Sequence, residues 1–184
     1  MLVSGKNIPD CGLYKTTKQI GQIEPGRLVY FHNHGDPGPG VYLPKSWHQN
    51  RCTFSESGTT VGTDFDASFL KELPVEGFYR VTHEFHCCEK QCTKFETDVF
   101  VQLGYNGAAA PILFTPELTA NGIKIPERGS VIDEKNMKHL TLLRIAERQS
   151  GSSEGGGGGG GGGGKDRDKN QPEIKFPRGG FVVH

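Results

Sequence analysis

Four side chains able to bind a soft or borderline metal ion stand within the seven residues His86-Cys87-Cys88-Glu89-Lys90-Gln91-Cys92: His86, Cys87, Cys88 and Cys92. Cys88 and Cys92 have three residues between them, a spacing that structural zinc sites tolerate, and a Cys₃His set would supply the four tetrahedral ligands that zinc takes. The thiols would have to ionise to bind. Strand geometry sets a condition. Adjacent side chains in a strand point to opposite faces, so Cys87 and Cys88 can share one ion only if the strand has already given way to a turn. A second arrangement avoids that condition: His48 and Cys52, also with three residues between them, could complete a site with Cys88 and Cys92. The competing expectation is that these are ordinary packed thiols, since free cysteine behaves as a small hydrophobe. A redox pair of Cys87 or Cys88 with Cys92 is a further use of the same residues, with Lys90 and Lys94 as the cations that would lower a thiol pKa.

His32-Asn33-His34, followed by Asp36, is the other constellation. Residues two apart on a strand share a face and could ligate together, but a solvated pair next to a turn is the expectation. His83 falls on the apolar side of its strand pattern, where a lone histidine is expected to be a hydrogen-bonded core residue. Trp47 and Tyr42, with Lys45 and Arg51, could stack a ligand, although such aromatics ordinarily serve packing. The chain has no GxSxG elbow, no Walker loop and no local signature joining a cysteine to a base. No catalytic residue is nominated, and a non-enzymatic protein is expected.

The elements that must position these residues read as short strands. Arg27 to His32 is rich in aromatic and β-branched residues and stops at Gly35-Asp36-Pro37-Gly38-Pro39-Gly40. Val41-Tyr42-Leu43 and Arg51 to Phe54 are further strands. Phe65, Phe69 and Leu73 recur every four residues, Asp64 or Asp66 can cap the start and Pro74 follows, which predicts a short helix. Asn106-Gly107 is the preferred pair for a two-residue type I′ turn. Folding about it sets Tyr105 opposite Ala108, Leu103 opposite Ala110, Val101 opposite Ile112 and Val99 opposite Phe114. Pro111 cannot donate to a ladder, so the returning strand is expected at an edge. Tyr79, Val81, His83 and Phe85 alternate in a third strand, and the resulting meander carries the loop from Cys87 to Lys94 at its tip. Downstream, Gly122 to Ile125 and Ser130 to Ile132 read as strands, Asp133 as the cap of a short helix, and Leu140 to Ile145 as strand or helix.

The chain has 184 residues, of which residues 1–149 have the size and pattern of one β-rich domain. The expected fold is mainly β, a small antiparallel barrel or sandwich with one or two short helices and a disordered C-terminal tail. Ten consecutive glycines, Gly155 to Gly164, mark residues 150–170 as a flexible linker. Residues 171–184 regain apolar side chains and read as a tail, either frayed or docking as a strand. Lys plus Arg and Asp plus Glu balance at 21 each, so no net field draws the chain to nucleic acid or an anionic membrane. The expected partner is another protein. Met1 to Lys6 has no secretory pattern, and no apolar stretch approaches a membrane span. With five cysteines, an odd count, a reducing cytoplasm is the expected compartment. Two functions follow: a β-rich binding or assembly module that contacts another protein, or a zinc-binding protein or metal-dependent enzyme built on the Cys87–Cys92 loop.

Overall fold

The computed structural model describes residues 8–34 and 37–144. The linker and tail expected over 150–170 and 171–184, and the residues Met1 to Lys6, lie outside them.

Strands β1 (Gly12–Thr16), β2 (Leu28–His32) and β3 (Gly40–Tyr42) run antiparallel in succession. A separate hairpin follows, β4 (Pro44–His48) with β5 (Arg51–Phe54), and then β6 (Thr59–Thr60) pairs with β3. A 3-10 turn at Ala67–Phe69 leads into β7 (Leu70–Glu72), which pairs with β1. The first sheet is thus five-stranded, in the order β6-β3-β2-β1-β7. The second half opens with β8 (Gly77–Val81) and a small hairpin of β9 (Phe85–His86) and β10 (Lys94–Phe95). It continues with β11 (Phe100–Tyr105), β12 (Pro111–Phe114) and the hairpin β13 (Glu117–Thr119) and β14 (Gly122–Lys124). β15 (Ser130–Val131), a 3-10 helix at Glu134–His139 and β16 (Leu140–Leu142) complete it. The second sheet has the order β15-β12-β11-β8-β16. The chain is mainly β, and the only helices among the described residues are these two 3-10 segments.

β2 explains its own composition. Leu28 belongs to a core cluster shared with Tyr79, Val81, Val101, Leu103 and Leu113 of the second sheet. Val29 and Phe31 face the other way, into a cluster with Tyr14, Val41, Leu70 and the loop residues Ile20, Ile23 and Phe65. A strand covered on both faces needs a continuous apolar run rather than alternation, and Leu28-Val29-Tyr30-Phe31 is that run. Full burial of side chains of this size stabilises by roughly 1.5–3 kcal/mol each.

The β11–β12 hairpin forms, but in a different register. Tyr105 pairs with Pro111, Leu103 with Leu113 and Gln102 with Phe114, so the connection has five residues instead of two. The Asn106 side chain is the cause: its Oδ1 accepts from the backbone N–H groups of Ala108 and Ala110, both at 3.0 Å. Ala109 takes the left-handed conformation at φ 56°, while neither Asn106 nor Gly107 has positive φ. An Asx turn therefore replaces the type I′ turn. The two-residue primed turn occurs instead between β4 and β5, where Gln49 and Asn50 have φ of 49° and 63° and His48 pairs with Arg51.

Other expectations are corrected. Between Phe65 and Leu73 there is no α-helix. Asp66 does cap, accepting from Ser68 N–H at 2.7 Å, but Thr17 N–H takes the Phe69 carbonyl and the chain extends at once into β7. The strand expected through Phe85 breaks after Val81, because Thr82 gives both its N–H and its hydroxyl to the His139 carbonyl. His83 is consequently exposed and not a core residue. β12 is not an edge: Ile112 pairs with Val131, and Pro111 opens the strand, where its missing donor is harmless. Leu140–Leu142 is strand.

The turn of the β4–β5 hairpin lies directly against β11. A Cβ added at Gly104 would sit 2.4 Å from the Asn50 carbonyl oxygen, a distance that no side chain can occupy. Replacing Gly104 with alanine is expected to lower stability by about 1–3 kcal/mol, the usual cost of overpacking. Chemical denaturation monitored by Trp47 fluorescence measures this directly.

Candidate metal centre

The loop from Cys87 to Thr93 is held at both ends. Phe85 and Phe95, opposite each other in the β9–β10 pair, stack with ring centroids 5.2 Å apart. Cys87 N–H donates to the Thr93 carbonyl at 2.8 Å, and Asp133 N–H donates to the Cys87 carbonyl at 2.8 Å. Asn136, buried in the second 3-10 helix, donates its amide to the His86 carbonyl at 2.9 Å. Glu84 and Lys94 pair across the base at 2.8 Å.

Because β9 ends at His86, the strict alternation of a strand does not apply to the residues after it. The chain turns at Cys88, whose carbonyl accepts Gln91 N–H at 2.9 Å, and Gln91 takes φ 54°. The result is that Cys87, Cys88 and Cys92 bring their sulfur atoms within 4.8 Å of one another. Cys87 is buried, Cys88 half-buried and Cys92 exposed. The Cys87 thiol lies 3.5 Å from Cys88 Sγ and accepts Thr93 N–H at 3.3 Å. Hydrogen bonds from the Cys87 thiol, then from the backbone N–H groups of Lys90 and Cys92, hold the Cys88 thiol below its ordinary pKa. The neighbouring Cys88 sulfur raises that of Cys92.

Of the four ligands expected from sequence, three come together and His86 is not among the grouped atoms. In β9 it alternates with the core residue Phe85 and so points to the other face. Nor do His48 and Cys52 join Cys88 and Cys92 among the described residues. Cys52 packs against the main core, and burial, then the nearby Glu76, push its thiol up to about 12, which leaves it a poor nucleophile or ligand.

A second group was only half legible. His32 and His34 have ring centroids 4.1 Å apart, and Cys11, just before β1, brings its sulfur to 3.3 Å from His32 Nδ1. The ligand atoms of all three lie within 4.8 Å of one another. Burial, then the adjacent His34, hold His32 below the ordinary histidine pKa. Trp47 is 46% exposed; its indole N–H donates to the Tyr105 carbonyl at 2.7 Å, and its side chain lines a groove of about 430 Å³ together with Asn50, Ile112, Phe114 and Glu127.

Comparison of the chain with protein-family models, with curated proteins and with solved structures finds no match.

Sequence reading missed Glu76, a carboxyl buried beneath β5. Its Oε2 accepts Cys52 N–H at 2.9 Å, while Oε1 is buried with no hydrogen-bond partner. Burial raises its pKa to about 7, against the opposing pull of the Cys52 N–H, Arg51 and the Tyr105 N–H. Between the ordinary value and about 7 the folded state therefore binds more protons than the unfolded one, so stability falls as pH rises through that window. The loss is on the order of 3–4 kcal/mol at about 1.4 kcal/mol per pKa unit. Urea midpoints from pH 4.5 to pH 8 should drop for the wild type and stay flatter for Glu76→Gln; parallel profiles would mean that Glu76 titrates normally.

Proposed function

We propose that this chain is a β-sandwich module that holds a zinc ion with Cys87, Cys88 and Cys92. Two five-stranded sheets contributing to one core favour a sandwich over a closed barrel. The observation that carries the metal reading is the convergence of three sulfur atoms within 4.8 Å on a loop fixed by Phe85, Phe95 and Asn136. Sulfur is the donor that zinc prefers in structural sites, and backbone N–H groups directed at Cys88 stabilise a thiolate there. Three thiolates more than neutralise a divalent ion, which makes the bound metal a weak Lewis acid and favours a structural role over a hydrolytic one. The fourth position is left to a water or to a donor from a partner. All five cysteines are free, in keeping with a reducing cytoplasm as the proposed compartment. Among the described residues no helix is long and apolar enough to cross a membrane.

A second reading, contact with another protein as a non-enzymatic binding or assembly module, is favoured by the β13–β14 hairpin. Leu118 and Ile123 are directly paired there and 87% and 67% exposed, an apolar couple with no cover among the described residues.

Elemental analysis of the purified full chain is expected to show zinc, with one equivalent lost in Cys88→Ser and in Cys92→Ser. Wild-type protein that is stably folded and metal-free after exposure to zinc removes the metal reading. For the second reading, Leu118→Lys with Ile123→Lys should shorten the set of proteins captured by the wild type, and identical sets would end it.

A further inference from the structure

We infer that Cys11, His32 and His34 form a second metal site, for a borderline divalent ion of the zinc or cobalt type, with a coordination position open to solvent. The fold creates it by strand register. Gly12 pairs with Phe31 in the β1–β2 ladder, and one residue further out the antiparallel pairing sets Cys11 opposite His32, on one face of the sheet. The chain then leaves β2 and folds His34 back so that its ring meets that of His32 edge-on at 4.1 Å.

The spacing suits an ion. A tetrahedral centre with bonds of about 2.3 Å to sulfur and about 2.1 Å to nitrogen has a sulfur–nitrogen edge of roughly 3.6 Å. Cys11 Sγ and His32 Nδ1 are 3.3 Å apart, and one ligand atom from each of Cys11, His32 and His34 lies within 4.8 Å of the other two. Asn33 supplies the supporting contact: its backbone N–H donates to Cys11 Sγ at 3.3 Å, a bond that a metal-bound thiolate would keep. The Cys11 thiol proton, now directed at Asn33 Oδ1 at 3.1 Å, is the proton released when the ion binds.

The charge of this set differs from that of the Cys87 loop. One thiolate and two neutral imidazoles leave a divalent ion with a net positive charge, whereas three thiolates leave the loop site negative. Cys11 and His34 are exposed and His32 is half-buried, so the free position faces water. Such a centre takes a water or a small anionic ligand as its fourth donor.

The test is a Co²⁺ titration of the full chain carrying Cys88→Ser and Cys92→Ser, which isolates this site from the loop. One equivalent should bind with a thiolate-to-cobalt charge-transfer band. Adding Cys11→Ser should abolish the band, and adding His34→Ala, a surface change, should weaken binding by roughly tenfold or more, at least the scale known for supporting contacts around metals. Circular dichroism checks that each variant is folded. Absence of the band in the starting variant, or its survival in Cys11→Ser, overturns the proposal. Failure of the loop site would appear separately, as wild-type protein that binds no more metal than the Cys88→Ser, Cys92→Ser variant.

Discussion

The turn at Gln49 and Asn50 rests its backbone on β11 at the one position where that strand has no side chain. Gly104 makes room for the Asn50 carbonyl, and polar bonds then fasten the hairpin over the second sheet. Gln102, only 2% exposed, donates to the Gln49 carbonyl and receives the Asn50 amide. Asn50 also reaches the Pro126 carbonyl, and Trp47 reaches that of Tyr105. A buried amide with both ends satisfied specifies one docking geometry, because any slip would leave it unpaired at a cost of about 1–3 kcal/mol. The less comfortable Glu76 carboxyl is part of the same arrangement, since it caps Cys52 N–H on the strand that the turn delivers.

The thiol loop depends on a different device. β9 and β10 are only two residues long each, so the chain reaches its turn before strand alternation could separate Cys87 from Cys88. Stacked phenylalanines anchor the base to the core, and Asn136 fixes the exit of β9 from below. Short strands and a firm base let three sulfur atoms converge on a loop of seven residues without a disulfide.

Much of this architecture was legible in the residues. The apolar run of β2, the meander of β8, β11 and β12, and the thiol-bearing tip between β9 and β10 all follow from pattern. Register did not, because Asn106 can serve either as the first residue of a primed turn or as the acceptor of an Asx turn, and its dipeptide alone does not distinguish them. β1 and β4 were overlooked: the first mixes Lys15 and Thr16 with apolar residues, and the second is mostly exposed and begins with Pro44. Cys11 escaped notice for a simpler reason. It stands 21 residues from His32, and only the pairing of β1 with β2 makes them neighbours. The helix expected at Phe65 failed because spacing by four also suits residues that pack one side of a sheet from a loop, as Phe65 does beneath Phe31.

The strand orders carry a kinetic consequence. β1 cannot gain its second neighbour until β7, more than fifty residues later, has been made and folded back, and β8 likewise waits for β16. Such high contact order places loop-closure entropy ahead of any reward from pairing, so the chain belongs among slow folders, in the millisecond-to-second regime. During that interval the nascent β2, with apolar side chains on both faces, needs protection from other unfinished chains.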